Sequence, residues 1–146
     1  MKYLLLFVLL FVVSCLKTDL SPEAALKDFV DSRIGQVIDK KFVLDRVTGK
    51  MLQSFENMSD EDFLKFADMK NVKADSFKIL SKSCQDKKCF LTYSIGYQTK
   101  QADKTQFVSE VKKIAEMVML DNKWLIADVT NIKTYHESVE PINPLE

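Results

Sequence analysis

From about Asp75 onward the apolar residues alternate with polar ones, whereas before it they recur at steps of three and four. A period of two buries one face of a strand, and a period near 3.6 buries one stripe of a helix. A chain written helices first and strands afterwards is therefore directed to an α+β plan, with the helices packed on one face of an antiparallel sheet. Four consecutive strands are predicted, Phe77 to Ser83, Cys89 to Thr99, Thr105 to Leu120 and Lys123 to Tyr135, all rich in β-branched and aromatic residues. The polar stretches between them are the turns. Asp121-Asn122 is short enough, and tolerant enough of positive φ, to close strands three and four into a tight hairpin.

The first half carries the helix signals. Ser21-Pro22-Glu23 places a side-chain acceptor at an N-cap, a proline where its missing N–H costs nothing, and an acid at the positive end of the helix dipole. Leu26, Phe29, Val30, Ile34 and Val37 then form one apolar stripe, with Arg33 at its margin. A second helix is predicted from Thr48, with Met51, Leu52, Phe55 and Met58 on one side. A third opens at Ser59, where Asp62 completes a capping-box-like arrangement ahead of Phe63, Leu64 and Phe66. Residues 38 to 47 fit a short strand or a helical turn equally well.

Ahead of all this stands a leader: Lys2, then an unbroken apolar run from Leu4 to Val13, then Ser14-Cys15. A helix needs about 20 apolar residues to cross a ~30 Å hydrocarbon layer, so so short a run reads as an export signal rather than a membrane span. Val12-Val13-Ser14-Cys15 resembles the lipobox of bacterial lipoproteins. That resemblance implies cleavage after residue 14, a diacylglyceryl group on the Cys15 thiol, and a membrane as the protein's first partner. With Leu16 rather than Asp after the cysteine, the sorting rules of such lipoproteins imply the outer membrane over the inner. The expected layout is a signal peptide over 1–14, a lipidated tether over 15–20, one domain over 21–136 and a tail over 137–146.

Loss of Lys2 with the leader turns 21 basic and 21 acidic residues into a net charge of −1, which gives no field to attract nucleic acid. Hydrophobic residues make up 47% of the chain, enough for a packed core in a single domain of this length. Three scattered glycines, Gly35, Gly49 and Gly96, form no phosphate-cradling loop. No cofactor or metal is expected, because the acids of Ser59-Asp60-Glu61-Asp62 are explained as capping residues and lack the alternation of a calcium loop.

The Ser-Pro-Glu-Ala-Ala helix start, the middle helix ending at Met58-Ser59-Asp60-Glu61, the long strands and the stretch from Asp121 through Lys123-Trp124-Leu125-Ile126-Ala127-Asp128-Val129 together resemble small exported members of the NTF2-like superfamily, including DUF4878-type lipoproteins. The similarity spans residues 21 to 135. It implies an NTF2-like, cystatin-like cone: a curved antiparallel sheet wrapped around the first helix, often with a pocket at its open end, and in many such cones a homodimer formed through the sheet. Gly96, alone in a long strand, suits the bend or bulge that curvature requires.

Cys84 and Cys89 flank the first turn between strands, in a compartment that oxidises thiols, and are expected to form a disulfide. The only histidine, His136, falls beyond the expected last strand and offers no catalytic constellation. Asp128 shares strand parity with Trp124 and Ile126, so it is the one carboxylate with a route into a pocket. The family's isomerases and dehydratases use such an acid. Against this stands the plainer reading that Asp128 pairs with a lysine or meets water. Two functions follow. The first is a non-catalytic envelope module, not an enzyme, that binds a small apolar ligand or another envelope protein, with Tyr93, Tyr97, Met117, Trp124 and Asp128 lining its cavity. The second is a small-molecule isomerase or hydratase working through Asp128 and a tyrosine.

Overall fold

The computed structural model describes residues 21–101 and 105–138; the expected leader, the expected tether from Cys15 and all of the expected 137–146 tail except Glu137 and Ser138, which end the last strand, lie outside the described residues. Four helices, α1 (Pro22–Asp31), α2 (Lys40–Leu44), α3 (Gly49–Glu56) and α4 (Asp60–Ala67), precede four strands, β1 (Val72–Gln85), β2 (Lys88–Gln101), β3 (Thr105–Leu120) and β4 (Lys123–Ser138). The strands form one open antiparallel sheet in the order β1-β2-β3-β4. This is the α+β plan that the change of period predicts.

Local chemistry explains the helix starts. The Ser21 hydroxyl accepts from the Ala24 amide at 3.1 Å and Pro22 opens α1. Ser59 caps α4 by accepting from the Asp62 amide, and its hydroxyl donates to the Asp62 carboxylate at 2.8 Å. The open segment 38–47 resolves into α2, capped by Asp39, followed by a short extended piece. α1 is shorter than its apolar stripe. It stops at Asp31, Arg33 and Ile34 sit in a turn beyond it, and Val37 bridges to Asp68 with 41% of its surface exposed.

β3 has its predicted bounds while β1, β2 and β4 reach further than predicted, and His136, expected beyond the last strand, lies inside β4 opposite Ser109, whose hydroxyl is 2.8 Å from the ring Nδ1. A two-residue turn, Asp121-Asn122, joins β3 to β4 with φ of 48° and 60°, as its composition predicts. Cys84 and Cys89 are cross-strand partners next to the β1–β2 turn and are joined by a disulfide.

Both edge strands carry two bulges. In β1 the pairing passes over Asp75 and Leu80; in β4 it passes over Ala127 and Ile132. Each extra residue bends the strand and increases its local twist. Gly96 stands opposite the first β1 bulge, where a Cβ would come within 2.7 Å of the Ser76 hydroxyl. The Ala127 bulge is covered. Arg46 and Thr48 take the Ile126 amide and carbonyl in hydrogen bonds of 3.0 and 2.9 Å, and Gly49, at φ 55°, lies against Ala127. That contact protects part of an exposed sheet edge.

The inner face of the sheet presents Cys89, Leu91, Tyr93 and Ile95 from β2 and Ala115 and Met117 from β3, packed against Leu26, Phe29 and Val30 of α1 and Phe55 and Phe63 of the later helices. α1 touches both edge strands, its Glu23 carboxylate meeting Lys82 of β1 at 2.6 Å. Phe90 has the opposite parity, so it is on the outer face and 42% exposed rather than part of the core.

Candidate functional site

Between α1 and the middle of the sheet the packing leaves a cavity of about 270 Å³, just below the ~300 Å³ at which small-molecule sites usually begin. Its walls are mostly apolar: Leu26, Phe29 and Val30 from α1, Ile34 from the turn after it, Phe66 from α4, and Ile95 and Val129 from the sheet. Four polar side chains break that lining, Arg33, Lys113, Tyr93 and Tyr97. Among the described lining residues there is no carboxylate.

Arg33 is held by the turn that ends α1, where its amide bonds back to the Val30 carbonyl at 3.2 Å. The paired loops behind it fix that turn, the Gly35 amide donating to the Met69 carbonyl and the Met69 amide to the Gln36 carbonyl. Its guanidinium lies 3.8 Å from the Phe66 ring centre and 5.6 Å from that of Phe29, a cation–π seat between two aromatics. One Nη donates to the Phe66 carbonyl at 3.3 Å, while Nε is buried with no partner. Lys113 comes from β3, directly across from Tyr93 of β2.

Burial shapes the electrostatics of all four. It pushes both tyrosine phenols above their ordinary range, Tyr93 far above it, and the Arg33 charge only partly offsets this. It also lowers the affinity of Arg33 and Lys113 for their protons, and for Lys113 the nearby Arg33 charge adds to the effect. At neutral pH this is a cationic hollow with two neutral hydroxyls and apolar walls. A wider hollow of about 480 Å³ beside the β1–β2 turn has no comparable enclosure, since Ser83, Asp86, Lys87, Lys88 and Phe90 in its lining are all exposed.

The structure brings Tyr93 and Tyr97 together in the cavity, as expected, but not the other three residues. Met117 is fully buried two inward positions along β3 from Lys113, where the core is filled, and Trp124 packs against that core near the β3–β4 turn. Asp128 is not a cavity residue. The bulge at Ala127 reverses the alternation of β4, so that Val129 points inward in the place that the parity of Trp124 and Ile126 assigns to Asp128. The Asp128 carboxylate instead bonds to the Val129 amide at 2.8 Å and stands 3.9 Å from Lys50 Nζ. Arg33 and Lys113 were missed as site residues, yet Lys113 shares inward parity with Val111, Ala115 and Met117, and that alternation is legible in the sequence. Compared with family models, curated proteins and solved structures, the chain matches none of them. Its sequence and its geometry therefore carry the functional argument.

Proposed function

We propose that this chain is a non-catalytic binding module of the bacterial cell envelope, an NTF2-like cone tethered to a membrane through acylated Cys15, whose inner cavity holds a small ligand with a large apolar part. The observation that carries the reading is the cavity itself: apolar walls from α1, α4 and the sheet around a few convergent polar groups, the usual make-up of a ligand site. The cone reading is supported by α1 reaching both edge strands and by the paired bulges of β1 and β4, which curve a sheet. Envelope location rests on the leader and its lipobox, and the Cys84–Cys89 disulfide accords with an oxidising compartment.

Isomerase or hydratase chemistry through Asp128 requires that carboxylate at the bound ligand, and a binding module is favoured because Val129 and not Asp128 lines the cavity. A binding module needs no such group. Native mass spectrometry of the protein extracted with its own envelope lipids is expected to show a discrete added mass that survives mild activation and is lost when Val129 is replaced by Trp. A spectrum of ligand-free protein under every extraction condition would remove the binding reading.

A further inference from the structure

The cavity's polar groups are all of one kind: two cations and two hydroxyl donors, with no acid among the described lining residues. A ligand that was purely apolar would leave them worse off than water does. Arg33 and Lys113 would both lose hydration without gaining a counter-charge. An oxyanion would satisfy both at once. The guanidinium, seated between Phe66 and Phe29, is a donor group suited to a carboxylate or phosphate head, and the ammonium and the phenols supply further donors.

We infer that the cavity selects small amphipathic anions, with a carboxylate or phosphate head held by Arg33, Lys113, Tyr93 and Tyr97 and an apolar body lying between α1 and the sheet. This rests on the binding function proposed above and names the class of ligand for the same cavity. Arg33 and Lys113 stand on different elements, the turn after α1 and strand β3, so their meeting at one cavity is a product of the tertiary fold. Tyr93 lies between them in effect, paired across the sheet with Lys113 and close enough to feel the Arg33 charge. The size of the hollow favours short-chain ligands over whole phospholipids.

The test is equilibrium dialysis of the full lipid-anchored protein in phosphatidylcholine nanodiscs, with empty nanodiscs as background, against four probes of one chain length: octanoate, octyl phosphate, 1-octanol and octylammonium. Expected is saturable binding of octanoate, octyl phosphate or both, roughly tenfold to a hundredfold tighter than octanol, the range that a charge-assisted hydrogen bond supplies, with octylammonium weakest. The stronger of the two anions assigns the head group. Arg33→Gln and, separately, Lys113→Gln are expected to collapse the preference of anion over alcohol toward unity. The second variant keeps the test open if the first does not fold. Equal binding of octanol and both anions, or a preference unchanged in both variants, overturns the selectivity while leaving a binding module intact. Failure of every probe to saturate overturns the two proposals together.

Discussion

Lys113 shows at the scale of one residue how the proposed binding role and stability oppose each other in this cavity. A lysine buried on the inner face of a sheet, facing Arg33 and, among the described lining residues, no acid, is less willing to hold its proton in the folded state than the ordinary value of 10.5 implies. The sign of the consequence is fixed by linkage. Below the lowered folded pKa the full penalty weighs on the fold; across the window up to 10.5 the unfolded chain binds more protons, so stability rises with pH; above it the penalty is gone. Lys113→Met is therefore expected to stabilise the empty protein at neutral pH by roughly 0.5–2 kcal/mol, toward the lower figure because the side chain is only partly screened from water. Tyr93 and Tyr97 act in the opposite sense, since their raised values make the fold lose stability above about pH 10.0, where unfolded phenols ionise. The informative measurement is thus the difference between variant and parent in denaturant unfolding, followed from pH 7 to 10.5. A gain that fails to shrink along that series, or a loss in place of the gain at pH 7, would sink this account of Lys113.

At the scale of elements, what was legible in the sequence was what is decided locally. Ser21-Pro22-Glu23, Ser59 to Asp62 and Asp121-Asn122 each satisfy their own backbone groups within a few residues, so the caps and the hairpin turn were readable from the chain alone. The alternation of β2 and β3 holds without interruption, which is why Tyr93 and Tyr97 were placed correctly and why Lys113 was findable. The edge strands were not readable in this way. A bulge is a relation between two strands, and nothing in Ile126-Ala127-Asp128 by itself announces that Ala127 will be skipped in pairing with Glu116 and Met117. Arg46, Thr48 and Gly49, eighty residues earlier in the chain, are what occupy the strand edge there. One skipped residue exchanged Asp128 for Val129 at the cavity wall, which takes away the carboxylate that the alternative, catalytic reading relied on. The exchange can be measured. Asp128→Asn should leave affinity for the bound probe within about twofold, because it alters only a solvent-exposed contact with Lys50 and leaves an oxygen to accept from the Val129 amide. Val129→Trp should weaken it by about tenfold or more by filling the cavity. The reverse ranking would restore Asp128 to the pocket and discredit the bulge as the reason for its absence.

For the whole molecule, the proposed envelope module would need something to hold it at a membrane, and the charge balance narrows what that is. A folded body can be held at an anionic surface by a polybasic patch, at about 1 kcal/mol per cation near the surface, but 21 basic against 21 acidic residues leave no general excess to do so. No helix among the described residues is long and apolar enough to cross a membrane. The proposed acyl chains at Cys15 would be sufficient, since each buried methylene contributes about 0.8 kcal/mol and a diacylglyceryl group brings two chains where one alone binds only transiently. Retention by lipid and retention by charge differ in their response to salt, because Debye screening at 1 M acts within about 3 Å and leaves hydrophobic burial intact. The native protein is accordingly expected to stay in the membrane fraction through a 1 M salt wash, to enter the detergent phase on extraction, and to show the mass of residues 15–146 plus its acyl groups. Cys15→Ser should prevent both acylation and lipoprotein cleavage, leaving a chain that retains its leader. A native product with a free Cys15 thiol, or one released by salt alone, would detach the cavity from any membrane role and leave its selectivity for anions to be explained in solution.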